Sequence, residues 1–261
     1  MRAYFTFVFI AVCSLLPLLV LIVYAVAPGW TFPELVPSEL DWRALQYAAS
    51  QWQPILRHLS VSVLYSLAVV ALSLVLCLFP AHHFAYRRFR GKSMLEGVFL
   101  APALVPSMTF SMGAQYLFIR VGLTDTLFGV VLVLTAFSYP YMLRALTAGY
   151  QAVGEEYELC ARNLGAGFWM RLLRIELPLL MPSVIAGGSV VFLVAFSEYF
   201  LVFLIGGGAV DSYTGYLFPY LASSDRSMGS LLCLVFLAVP VLLFLLVEYG
   251  VSRMYRERGM Y

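Results

Sequence analysis

The sequence predicts an all-α membrane protein with six transmembrane helices, and its composition and apolar runs support this prediction. Of its 261 residues, 62% are hydrophobic and 11% are charged, whereas soluble domains carry roughly 25% charged residues. Six apolar runs approach the roughly 20 residues that a helix needs to cross a bilayer. A water-soluble core is therefore excluded, and we expect a single transmembrane domain over residues 1–261.

The six predicted spans lie at about residues 4–27, 58–80, 94–119, 126–146, 183–205 and 227–249. The first run ends in Ala25, Val26 and Ala27, which is typical of a signal-peptide cleavage site. However, its apolar stretch is longer than the roughly 7–15 residues of a signal core, and Pro28 follows it directly. We therefore favour a retained first span over a cleaved signal peptide.

Prolines and glycines mark the later spans. The third carries Pro102 and Pro106, and the fourth carries Pro140. Membrane helices tolerate proline where neighbouring groups satisfy the carbonyl that it leaves free. Gly187 and Gly188 in the fifth span have no side chain and therefore predict close contact with another helix.

The basic residues predict the orientation of the spans. Twelve of the sixteen Lys and Arg residues fall on the side that carries both termini: Arg2, Arg87, Arg88, Arg90, Lys92, Arg144, Arg162, Arg171, Arg174, Arg253, Arg256 and Arg258. The other four are Arg43, Arg57, Arg120 and Arg226. Because cytoplasmic loops carry the excess of basic residues, both termini and the loop at 150–182 are predicted to be cytoplasmic.

The loop at 150–182 contains the longest polar interruption in the second half of the chain and predicts two short helices. Glu155 and Glu156 suit a helix N-terminus, where the helix dipole favours acidic side chains. Gly165 is expected to stop the first helix, because glycine adopts the left-handed conformation without a Cβ clash. The second helix is predicted over about 166–173, and Pro178, which lacks an amide donor, is expected to end it.

The second predicted helix has an apolar side with Phe168, Trp169 and Leu172, and it carries Arg171 and Arg174. An exposed Phe-Trp pair is unfavourable in water and suits a groove on another subunit. A helix lying among lipid headgroups explains the same residues equally well. The side-chain pattern leaves both interpretations open.

The spacing of five residues in this loop resembles that of a known family. Ala161, Gly165, Ile175, Leu177 and Pro178 fall where the cytoplasmic signature loop of binding-protein-dependent ABC importer permeases has Glu-Ala-Ala, three residues, Gly, nine residues, Ile, one residue, Leu-Pro. The resemblance extends over about residues 55–248. It implies the six-helix fold of type I ABC importer (MetI-like) permeases.

Two positions depart from the signature. Leu159 stands where the family has glutamate, with Glu158 one residue earlier, and Cys160 replaces the first alanine. The departures raise the question of whether Glu158 takes over the role of the usual glutamate.

The resemblance implies that the chain is a permease subunit, not an enzyme, in a bacterial inner membrane. Two ATP-binding subunits, a second identical or similar permease and an extracytoplasmic substrate-binding protein would be its partners, and ATP and Mg would be bound by the ATP-binding subunit. The cargo classes implied are polyamines, metal ions, thiamine or phosphonates. The residues implied in docking to the ATP-binding subunit are Glu158, Ala161, Gly165, Ala166, Phe168, Trp169, Arg171 and Leu172.

Glu198 is the acidic residue that the sequence places well inside a span, between Ser197 and Tyr199. A charge near the bilayer centre costs about 2.5–3.5 kcal/mol on insertion scales, so this carboxyl group should face protein or a water-filled path. One interpretation is that Ser197, Glu198 and Tyr199 line the translocation pathway. The alternative is a structural hydrogen bond to a neighbouring helix.

Other chemistry has little support in the sequence. Gly91-Lys92-Ser93 lacks the earlier glycine of a phosphate-binding loop. His82 and His83 have no third ligand nearby, so no metal site is predicted, and neither a catalytic set nor a nucleic-acid partner is indicated. A secondary transporter driven by an ion gradient, with Glu198 as proton site, remains the alternative function, but the halves of the chain show no evident inverted repeat.

Overall fold

The described part of the chain is built from helices in the computed structural model. The structure describes residues 2–27, 29, 30, 34, 37, 40–223 and 225–257, and the side chains of all of these except 2, 3, 8, 11 and 251–257. The helices are α1 (Arg2–Val26), α2 (Arg43–Ser50), α3 (Trp52–Tyr86), α4 (Lys92–Leu100), α5 (Ser107–Arg120), α6 (Leu127–Val153), α7 (Glu156–Asn163), α8 (Phe168–Arg171), α9 (Leu177–Ser197), α10 (Phe200–Gly206), α11 (Tyr213–Ala222) and α12 (Arg226–Glu257).

Five helical stretches in the described residues are long and apolar enough to cross a membrane. They are Tyr4–Val26, Trp52–Tyr86, Leu127–Val153, Phe168–Ser197 and Arg226–Gly250. A sixth is obtained if the bent pair Lys92–Leu104 and Ser107–Arg120 is counted as one span.

The third predicted span, at 94–119, is broken rather than continuous. A 3₁₀ turn at Ala101–Leu104 follows α4, and the helical segments on either side of Val105 and Pro106 meet at 98°. Val105 is extended, with φ −87° and ψ 132°. A proline disfavours the helical conformation of the residue before it, and this accounts for the position of the break.

The expectation that Pro178 ends the second loop helix is wrong. The helical path runs on from α8 through a π-helical turn, Leu172–Glu176, into α9. In this turn the Leu177 N–H bonds to the Leu172 carbonyl, five residues back. Pro178 then occupies the first turn of α9, where a missing amide donor is tolerated. The predicted fifth span also divides, because α9 ends at Ser197 and α10 follows.

The chain divides into two compact units, Met1–Val61 with Asp211–Tyr261, and Ser62–Val210. In the first unit α1 packs along α12, and the Ser227 hydroxyl donates to the Ala25 carbonyl at 2.9 Å. The side chains of its core lie on α2, α3, α11 and α12: Ala44, Ile55, Tyr213, Leu217, Met228 and Leu232.

The second unit is centred on the packing of α6 against α9. A Cβ atom at Gly187 would lie 2.8 Å from the Ala145 Cβ, and one at Gly188 would lie 3.3 Å from the Val70 Cγ1. The close helix approach predicted at these two glycines is therefore confirmed.

Candidate functional site

Gly165 ends α7 in the predicted left-handed conformation, with φ +83°. The Gly165 N–H bonds to the Arg162 carbonyl and the Ala166 N–H to the Ala161 carbonyl, each at 3.0 Å. These two bonds form a Schellman turn, which satisfies helix carbonyls that would otherwise lack donors. The turn separates α7 from α8.

The turn and the helical path after it present a cluster of large apolar side chains. Leu164 is 83% exposed and Trp169 is 69% exposed. We define the exposed loop surface as Leu164, Phe168, Trp169, Met170 and Leu173, all of which are exposed. Clustered exposed apolar side chains mark interaction sites in proteins.

The structure divides the predicted docking residues into two groups. Gly165, Phe168 and Trp169 are exposed and Ala166 is partly exposed, whereas Ala161 and Leu172 are buried within the chain. Helical periodicity turns Ala161 and Leu172 toward the chain's own helices, and their part in docking stays a prediction. Leu164 and Met170 were not among the predicted docking residues.

Glu158 and Arg171 are also turned inward, and they contact each other. Arg171 Nη2 lies 3.2 Å from Glu158 Oε1, and His82 Nε2 lies 2.7 Å from Glu158 Oε2. The side chains of Glu158 and Arg171 are only 16% and 17% exposed. The two neighbours therefore contact different oxygens of the same carboxyl group, Arg171 as an ion pair and His82 as a hydrogen-bond partner. We call this set the His82–Glu158–Arg171 bridge.

Aromatic residues surround the bridge. The His82 ring packs edge-on against the rings of Tyr86 and Tyr150, with centroids 4.9 and 5.2 Å away. The Tyr86 hydroxyl donates to the carbonyls of Tyr150 and Gly154 at 3.0 and 2.8 Å. The Tyr150 hydroxyl donates to Glu176 at 3.2 Å. These bonds join the ends of α3 and α6 to the π-helical turn.

From its sequence neighbours, His82 could be judged only as a possible metal ligand. In the described ranges no group of three His, Cys, Asp or Glu side chains is placed to hold a metal ion. To predict the bridge, one would have to know that His82 contacts Glu158, and these residues are 76 positions apart in the chain. No local pattern in the sequence reports such a contact.

Glu198 lies at the break between α9 and α10 and is partly buried. Its carboxyl group is hydrogen-bonded by the backbone of Phe200 and Leu201 and by the side chain of Ser107 at the start of α5. Ser197 is exposed and bonds back to the Leu193 carbonyl at 2.7 Å. The structural hydrogen bond that the sequence left open for Glu198 is therefore present, and its place in the pathway stays a prediction.

Comparison with known proteins identifies the family. Residues 73–256 match the family described as "Binding-protein-dependent transport system inner membrane component". This match covers more than two thirds of the chain, so the chain belongs to that family.

Two relatives illustrate the range of similarity. The molybdenum transport system permease protein ModB of Escherichia coli (strain K12) is 28% identical over 226 residues, covering 80% of this chain and 96% of that protein. The sulfate transport system permease protein CysT of the same strain is 25% identical over 185 residues, covering 65% of this chain and 67% of that protein.

A solved structure supports the fold. It is the crystal structure of a bacterial ABC transporter involved in the import of the acidic polysaccharide alginate, with a TM-score of 0.66 and 16% identity over 97% of this chain and 94% of that chain. The expected class is thus confirmed. The protein is an all-α, multi-pass inner-membrane permease subunit of an ABC importer, which is the function expected from the resemblance and not the alternative of a gradient-driven transporter.

Proposed function

We propose that this chain forms half of the translocation pathway and receives the motion of a separate ATP-binding subunit at the exposed loop surface. The observation that carries the proposal is the apolar cluster on α8 and its flanking turns. Trp169 is 69% exposed there, whereas Ala161 and Leu172 in the same loop are buried against the chain's own helices. Aromatic residues of this kind are the usual anchors of protein interfaces.

The surface also has a fixed framework, which docking requires. The Schellman turn at Gly165 sets the approach to α8, and the π-helical turn joins α8 to α9 in one helical path. Closure of an ATP-bound partner would move α8 and bias the spans toward one of two access states. A ligand shifts the equilibrium between two access states only by the difference between its affinities for them. Here the ligand is ATP on the partner subunit, which would favour the state that the closed partner holds.

The proposed assembly contains a second permease subunit, identical or similar to this one, and two ATP-binding subunits. An extracytoplasmic substrate-binding protein delivers the cargo. ATP and Mg are bound by the partner and not by this chain. The distribution of basic residues supports a cytoplasmic position for both termini and for the exposed loop surface.

A pull-down from mild detergent through a C-terminal tag tests the docking surface. Trp169→Ala should lower the affinity for the ATP-binding subunit about 30-fold, because loss of an interface anchor typically costs 2 kcal/mol or more. Trp52→Ala is the matched control, since Trp52 is 55% exposed and lies outside the loop. Full retention of the ATP-binding subunit by Phe168→Ala and Trp169→Ala together would reject the docking surface.

The cargo is proposed from the two relatives described above, whose names refer to molybdenum and sulfate. We propose an oxyanion of this kind as cargo. A cation, such as a polyamine, is the second candidate, because a pathway position for Glu198 would favour positive charge. Uptake of radiolabelled molybdate, sulfate and spermidine by cells with and without the gene decides between them. If only the uptake of spermidine depends on the gene, the proposal of an oxyanion cargo is rejected.

A further inference from the structure

We propose that Glu158 is a positioning residue that joins the docking segment to α3 through His82, so that movement of α8 is transferred to α3. This inference rests on the proposed docking function and assigns one route by which docking reaches the spans. The bridge connects three elements, because His82 lies on α3, Glu158 on α7 and Arg171 on α8.

The geometry of Glu158 supports a transfer of motion. Its two carboxylate oxygens are used separately, Oε2 by His82 at 2.7 Å and Oε1 by Arg171 at 3.2 Å. The side chain is 16% exposed, so little water is available to replace either partner. A partly buried carboxylate that loses a partner keeps much of its desolvation penalty, and therefore α7 and α8 favour moving together with the end of α3.

A second contact makes the connection a two-point attachment. The ring of Phe168 stacks on Phe79, with centroids 5.9 Å apart and planes at 14°. Phe79 and His82 are three residues apart on α3, and Phe168 and Arg171 are three apart along α8. Residues at this spacing share one helix face. The first residue of α8 thus contacts α3 directly, and the last residue is linked to α3 through Glu158, so both ends of α8 are restrained relative to α3.

The attachment has a specific place in α3. Phe79 and His82 flank Pro80, which lies inside the helix near its end. Tyr86 at the last position of α3 is tied to α6 through the carbonyls of Tyr150 and Gly154. Movement of α8 would therefore reach the last turns of α3. From the C-terminal end of α3 it would reach α6 through Tyr86.

Electron spin resonance distance measurements test the transfer. The two labels replace Arg87, directly after α3, and Arg162 on α7; both are exposed, and the native cysteines are first replaced by alanine. The purified complex is measured without nucleotide and after trapping with ATP and vanadate. With the bridge intact, the distance should stay the same in both states. In His82→Ala it should match the parent complex without nucleotide and shift by several ångströms on trapping.

Rescue and control variants separate positioning from a general structural role. His82→Gln retains a donor for Glu158 and should restore a constant distance, and His83→Ala should leave it unchanged, because His83 is exposed and does not contact Glu158. His82→Ala, Glu158→Gln and the double variant are also compared. Because both substitutions break the same bridge, the change in label distance in the double variant should equal the larger of the two single changes.

Two outcomes are distinguishable failures. A complex of His82→Ala that retains the ATP-binding subunit and keeps a constant distance on trapping overturns the bridge but leaves docking intact. Loss of the shift because no ATP-binding subunit co-purifies, even with the parent chain, rejects the docking function itself.

Discussion

Gly165 shows how one residue positions the exposed loop surface. Its φ of +83° is a conformation that side chains with a Cβ rarely adopt, yet no atom lies within 4 Å of where that Cβ would be. The requirement for glycine is therefore conformational and not a matter of space. The left-handed turn sets the direction in which α8 leaves α7.

We predict that Gly165→Asp leaves the protein in the membrane but uncouples it. The left-handed conformation costs a residue with a Cβ about 1 kcal/mol, and the strain shifts the turn that positions α8. Gly167→Asp is the matched control, because it adds the same charge at a residue with φ −68° and open space. Uptake and ATP hydrolysis are measured for both at equal membrane levels. Normal uptake in Gly165→Asp would count against a coupling role.

The structure explains why an acidic residue is tolerated at position 198, which the sequence left open between a pathway role and a structural hydrogen bond. The backbone of Phe200 and Leu201 and the side chain of Ser107 bind its carboxyl group. These donors come from the starts of α10 and α5, so the residue joins two helix ends at the break after α9. These bonds account for the position of the Glu198 carboxyl group without a cargo beside it.

We predict that Glu198→Gln lowers the stability of the folded chain by about 1–3 kcal/mol, because an amide nitrogen facing a donor leaves it unsatisfied. Thermal unfolding in detergent measures this change. Uptake per folded molecule is then compared with the parent, and an altered cargo preference at equal folded protein would support the pathway. An unfolding midpoint equal to that of the parent would contradict the structural bonds.

At the scale of the elements, prolines have different effects in different helices. Pro140 and Pro182 lie inside continuous helices, Pro106 lies within a 98° break, and Pro178 is accommodated after a π-helical turn. The residue type alone predicts a free carbonyl and a restricted neighbour. Whether the helix continues depends on the groups packed around that carbonyl, which the sequence does not display.

The packing of α6 on α9 permits a test with one substitution made at two glycines. Gly187→Ala should destabilise the protein by about 1–3 kcal/mol, because the new Cβ would lie 2.8 Å from that of Ala145. Gly97→Ala should be neutral or stabilising by about 1 kcal/mol, since nothing lies within 4 Å of its Cβ and alanine favours helix. Thermal unfolding in detergent measures both, and equal midpoints would refute the close approach.

For the whole molecule, the positions of the basic residues predict the orientation in the membrane. Charge asymmetry between loops reflects insertion of the chain as a whole rather than any one helix. We predict that green fluorescent protein fused at the C-terminus is fluorescent and that alkaline phosphatase fused there is inactive. Alkaline phosphatase inserted after Arg120 should be active. Reversed activities would place the exposed loop surface on the wrong side for an ATP-binding subunit.

The features that the sequence determined by itself depend on local patterns. Apolar run length predicted the membrane helices, the excess of Lys and Arg predicted an orientation, and the Gly165 to Pro178 spacing identified the family. Glycine at position 165 also predicted the left-handed turn, which the structure has. Each of these can be read from residues close together in the chain, because helix formation and turn geometry are local properties.

The tertiary structure alone decided which side of each element is exposed and which distant residues meet. It turned Ala161 and Leu172 inward, presented Leu164 and Met170, and brought His82 to Glu158 across 76 positions. The physical reason is that a helix can point any of its faces toward its neighbours until packing selects one. The packing of α3, α6 and α9 selects the buried face, and the local sequence does not predict which face that is.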